Sequence, residues 1–209
     1  MTPDTIQSLT QSILPWLDVA GISVFAMSGA LAAARAGQTM VTLIFFAAIT
    51  GVGGGTLRDL LIGAPVFWVH NPIWITACIL VALIVWFTPR RFWMERAVDW
   101  FDAVGLAAYA VYGAAKAMAY GIPALPAVIM GVFTACMGGV VRDILAGVPS
   151  IIIRPEIYVT AAATASGSYV LMTLMGAPTL VAAVGAAAMG FGLRAMAIWK
   201  GLALPGYRR

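Results

Sequence analysis

Arg58 and Asp59 sit side by side in GGTLRDLLIGAP (54–65), and Arg142 and Asp143 sit the same way in GGVVRDILAGVP (138–149). Seven of these twelve positions are identical, at an offset of 84 residues. Each charged doublet lies inside an apolar stretch and behind glycines, Gly53, Gly54 and Gly55 in one copy and Gly138 and Gly139 in the other. An arginine at the centre of a bilayer costs at least a few kcal/mol, so intramembrane charges are kept where they lock helices together or line a solute path. The chemistry these residues offer is electrostatic rather than covalent. The chain has no HExxH, GxSxG or Walker loop and no Cys/His pair, so nothing supplies a nucleophile with its base. We therefore expect no enzyme and assign no catalytic residue, metal or cofactor. Cys78 and Cys136 fall in apolar segments, as packed core thiols do.

The elements that carry the doublets belong to a membrane protein. Hydrophobic residues make up 62% of the chain and charged residues 10%, with mean hydropathy +0.97. A soluble domain carries about 25% charged residues. Seven apolar segments are bounded by Gly and Pro, near 18–36, 39–63, 72–88, 101–119, 123–147, 156–175 and 178–199. Long Ala-, Leu- and Met-rich runs exclude strands, so the fold class is all-α with seven transmembrane helices. Residues 1–17 read as a polar leader without the basic start of a signal peptide. Residues 18–88 and 101–175 form two three-helix units, 89–100 a charged loop, and 176–209 a seventh helix with its tail.

Basic residues set the orientation. With the N-terminus outside, the inner segments hold Arg35, Arg90, Arg91, Arg96, Arg154, Lys200, Arg208 and Arg209, and the outer loops hold none. The net charge of +4 thus reports topology and implies no nucleic-acid partner. The offset of 84 also pairs Asp18 with Asp102, Gly21 with Gly105, Gly29 with Gly113, Gly37 with Gly121 and Thr50 with Thr134. A period of three spans is odd, so the second unit enters the membrane from the opposite face. Inverted repeats of this kind are typical of proteins that move solutes.

Two readings of the glycines follow. They allow close helix packing, or they kink or unwind spans 2 and 5 beside a watery cavity. Adjacent residues on a helix do not face each other, so each charge is expected to find a partner elsewhere. Arg58 with Asp18 and Arg142 with Asp102 are one solution; cross-repeat pairing of Arg58 and Arg142 with Asp143 and Asp59 is the other. Lys116 breaks the repeat, since Ala32 stands at the matching position. It either snorkels to the outer interface or faces the path as a barrier or gate. Ser28, Tyr109 and Tyr112 offer hydroxyls to the same interior. His70 is expected in an outer loop, in water.

Two copies of Gly-Gly-x-x-Arg-Asp-x-Leu-x-Gly-x-Pro in a seven-span chain of this length resemble the prokaryotic trimeric intracellular cation (TRIC) channels, also described as glycine-transporter-like domains. The resemblance covers residues 16–200. It implies a homotrimer in the bacterial inner membrane, with one pore per protomer, that passes monovalent cations including potassium. It places the pore kinks at Gly53–Gly55 and Gly138–Gly139. The Lys-Glu-Val lipid motif of the animal members is absent from the second span, so phosphoinositide binding is not implied. A secondary transporter of a small solute such as glycine is the alternative.

Overall fold

The computed structural model describes residues 3–89, 92–93 and 96–205, with side chains from residue 19 onward. The described residues form seven α-helices: α1 (Pro3–Arg35), α2 (Met40–Leu61), α3 (Ile73–Phe87), α4 (Ala97–Ala119), α5 (Ala124–Leu145), α6 (Val159–Leu174) and α7 (Thr179–Lys200). A 3-10 turn at Ile151–Ile153 precedes α6. Helices α1, α2 and α3 pack on one another, as do α4, α5 and α6. The two units meet where α2 lies on α5 and α1 on α4, while α7 packs on α4 and α6.

Several boundaries differ from the sequence expectation, among them the start of α4 at Ala97, inside the segment 89–100 expected as a loop. Helix α1 starts at Pro3, so the expected leader is helical from that residue and runs on without a break into the first span. Helices α3 and α6 are shorter than the segments 72–88 and 156–175. Among the described residues, only α2, α5 and α7, each of 22 residues, are by themselves long and apolar enough to cross a membrane. Hydropathy marks where a chain avoids water, whereas a helix stops where its backbone is capped. That is why apolar windows overran α3 and α6.

The shared Gly and Pro of the repeated motif explain how α2 and α5 end. Gly63 and Gly147 have φ of 70° and 68°, the left-handed region that glycine enters without a Cβ penalty. The reversal lets Ala64 N donate to Asp59 O (2.8 Å) and Val148 N to Asp143 O (3.1 Å), which satisfies carbonyls at each helix end. Pro65 and Pro149 follow at once and cannot continue the helix. The charged doublets therefore sit in the last turn of α2 and of α5.

Both helices are continuous through their glycines. No turn is unwound at Gly53–Gly55 or Gly138–Gly139, which corrects the unwinding expected as one form of the second reading. Close packing accounts for two of the glycines directly. A Cβ at Gly54 would overlap the carbonyl oxygen of Thr134, and one at Gly138 would overlap that of Thr50. Thr50 and Thr134 are themselves 84 apart. Exchanging the two copies thus maps the crossing onto itself, and backbone meets backbone at both points. Gly53 differs, because a Cβ there meets nothing within 4 Å. We expect Gly54→Ala to cost about 1–3 kcal/mol through forced separation of α2 and α5. Gly53→Ala should be neutral or stabilising by up to about 1 kcal/mol, through helix propensity alone. Thermal melts of the two variants in detergent check this; equal melting losses would show that the crossing tolerates a methyl group.

Candidate functional site

The two charged doublets are built alike. Arg58 Nε and one terminal nitrogen each approach Asp59 Oδ1 to 2.8 Å. Arg142 does the same to Asp143 Oδ1 at 2.9 Å. The second carboxylate oxygen of each aspartate accepts a backbone N–H from eight residues on, Phe67 N at 3.2 Å and Ile151 N at 2.8 Å. Each aspartate thus ties the last turn of its helix to the returning chain. All four charged side chains are buried.

This geometry overturns the expectation that neighbouring residues cannot pair. Successive residues point about 100° apart on a helix, but the long arginine stem curls back over its own turn. The carboxylate is held still by the loop amide, so the guanidinium closes on a fixed target. The cross-repeat alternative is also absent: Arg58 does not meet Asp143, nor Arg142 Asp59, among the described contacts. Arg142 reaches further, with Nη1 at 2.5 Å from Asp102 Oδ1 and 2.9 Å from Ser28 Oγ. The side chain of Asp18, the expected partner of Arg58, lies outside the described residues.

Lys116 adds an ion pair between the repeats, beside the hydrogen bond of Arg142 to Ser28. Its ammonium lies 2.8 Å from Asp59 Oδ1, and the side chain is 18% exposed. It points inward to the α2 doublet, not outward to the interface. Lys116 therefore gives the first cluster a positive charge that the second lacks. Tyr112 lies under the Arg58 guanidinium, 5.0 Å from ring centroid to carbon, a cation–π contact. Tyr109 packs edge-on against Phe25 and Tyr112 and fills the space left by Gly21. Gly55 faces the Phe67 ring, and Gly139 faces the Tyr158 hydroxyl.

Sequence reasoning missed two features. One is a cavity of about 310 Å³ beside the second doublet, lined by Ala32, Arg35, Asp99, Arg142, Asp143 and Arg154 among others. The signal was the Ala32/Lys116 mismatch, where a methyl stands for a four-carbon ammonium. The other is the setting of buried Arg194 on α7, paired with Glu156 at 2.8 Å and lying over the Tyr158 ring. Backbone pairing of Glu156 with Ala203, and of Leu204 N with Pro155 O at 2.7 Å, holds that loop to the C-terminal segment.

The family model described as "Glycine transporter" matches residues 15–90 and again 99–174, one match to each three-helix unit. The chain belongs to this TRIC-like glycine-transporter family. It is 40% identical over 163 residues to a UPF0126 membrane protein of Vibrio cholerae, covering 76% of this chain and 67% of the relative. It is also 40% identical over 154 residues to the inner membrane protein YadS of Escherichia coli K12, covering 70% and 72%. Crystal structures of the TRIC trimeric intracellular cation channel orthologue from Rhodobacter sphaeroides match with TM-score 0.84 and 40% identity, over 92% of this chain and all of that one. A prokaryotic TRIC channel in 0.5 M KCl matches at TM-score 0.84 and 25% identity, over 91% and 98%. The protein is thus an all-helical membrane protein with the TRIC-channel fold, and its family and structural neighbours are channels and membrane proteins rather than enzymes.

Proposed function

We propose that this family member is a potassium-permeable monovalent cation channel, a homotrimer with one path in each protomer. The observation that carries the reading is the pair of buried charge clusters at the ends of α2 and α5. A buried charge cluster lies at the end of each helix, one filled by Lys116 and the other open to a cavity. Charges held in this way in a low-dielectric bundle are costly unless they serve a path or a lock. The likeness to cation channels of the same fold favours the path.

We place the protein in the bacterial inner membrane with the two repeats inverted, the N-terminus outside and the C-terminus cytoplasmic. The basic-residue bias supports this orientation, and it puts the cavity at the cytoplasmic mouth. A reporter fused after Arg209 should be cytoplasmic, and one inserted near His70 external. Both reporters on one side would end the inverted-repeat reading.

Planar-bilayer recording with ion substitution tests the function. Unitary current steps that reverse at the potassium equilibrium potential are the expected result. The family description, and a cavity carrying charges of both signs, favour glycine transport as a second reading. That reading predicts saturable glycine counterflow without unitary steps. Neither steps nor counterflow would reduce the charges to helix locks.

A further inference from the structure

The two aspartates take the same donors from their own arginines but differ in what else reaches the shared oxygen. Asp59 Oδ1 accepts from Arg58 Nε and a terminal nitrogen, and also from the Lys116 ammonium. Asp143 Oδ1 accepts the same two donors from Arg142 and has no third among the described residues. A carboxylate has about four lone-pair positions shared between its two oxygens, so a third donor at Asp143 Oδ1 is within its capacity. The position equivalent to Lys116 is Ala32, and Ala32 lines the 310 Å³ cavity together with Asp143.

We propose that this cavity binds small primary ammonium compounds, with the ligand's ammonium taking at Asp143 the place that the Lys116 ammonium takes at Asp59. The first repeat carries its own tethered ammonium; the second leaves room for a free one. The cavity rim adds a discriminating feature. Asp99, Arg35 and Arg154 line it, whereas the equivalent positions in the other copy are Pro15, Ala119 and His70. Arg154 is braced by two hydrogen bonds to Pro149 O, at 3.1 and 2.9 Å, and is 39% exposed. A ligand that also carries a carboxylate meets a cationic rim as its ammonium meets Asp143. Zwitterionic amino acids are therefore held at both ends and simple amines at one.

The inference rests on the proposed solute access to this cavity, but not on whether the chain conducts or carries. Its test is accordingly a binding measurement, independent of flux. Methylammonium chloride is titrated calorimetrically into the purified protein in detergent, with glycine and potassium chloride in parallel. Wild type should bind methylammonium at one saturable site. Lys116→Ala vacates the first cluster and should add a second site. Ala32→Lys supplies a tethered ammonium and Ala32→Leu a neutral plug; each should weaken wild-type binding by at least about tenfold. Ala32→Leu serves if Ala32→Lys does not assemble. Glycine binding more tightly than methylammonium identifies a zwitterion as the preferred ligand, and weaker glycine binding identifies a simple amine; either supports the site. The proposal is overturned if wild type shows no saturable binding. It is equally overturned if Lys116→Ala gains no site, if both Ala32 variants bind as wild type does, or if potassium displaces methylammonium at equal concentration. A channel that conducts without binding methylammonium would sink this inference alone, and methylammonium binding without current or counterflow would sink the proposed function alone.

Discussion

Arg142→Ala should destabilise the protein by about 3–5 kcal/mol, the usual result of stranding a buried charge. Arg142 is the hub of its cluster, joined to Asp143, Asp102 and Ser28. Its loss leaves Asp102 without its Oδ1 donor, while Asp143 retains the Ile151 amide. Arg58→Ala should cost less, because Asp59 keeps both the Lys116 ammonium and the Phe67 amide. Asp102→Asn removes the negative charge from the same Arg142 contact, so the double variant should lose less than the sum of the singles. Unfolding midpoints in detergent for the three single variants and the double variant decide the matter. Strict additivity would mean that Arg142 and Asp102 are near each other without being energetically coupled.

Lys116→Ala should raise cation conductance or shift its voltage dependence. In the proposed path a fixed ammonium repels permeant cations, so it acts as a barrier or gate and not as a binding site. It also senses the field: one full charge moved through 100 mV is worth about 2.3 kcal/mol. The 2.8 Å contact with Asp59 gives this charge a resting place, so its release has a defined counter-charge to leave behind. Lys116→Arg should keep the charge but change the fit, since a planar guanidinium cannot replace a compact ammonium beside Arg58. Single-channel recording in symmetric potassium, with oligomer assembly checked in parallel, is the measurement. Unchanged conductance and gating in an intact assembly would make the Lys116–Asp59 pair a structural clasp between repeats. Charge state cannot rescue that outcome, because the alanine variant carries none at this position.

Much of the scaffold was legible in one dimension. Scarcity of charge determined that the chain lives in a membrane, and the long Ala-, Leu- and Met-rich runs, without alternation, determined that it spans as helices rather than as a barrel. The repeated twelve residues determined which positions are equivalent, and Gly63 with Pro65, and Gly147 with Pro149, determined where α2 and α5 stop. These are local properties: hydropathy, the φ freedom of glycine and the missing N–H of proline act on the residues that carry them. Partner choice is not local. Whether Arg58 turns to its neighbour or to another helix depends on where a loop amide immobilises Asp59, and that amide belongs to Phe67. Whether Gly54 is a kink or a contact depends on the helix lying against it, and only the packed structure puts the Thr134 carbonyl there. The Ala32/Lys116 mismatch was visible as a broken symmetry, but its meaning was not. It took the folding of α4 against α2, and of α1 against α5, to make one position a filled ion pair and the other a cavity, because a side chain's length becomes a volume only when its neighbours are in place.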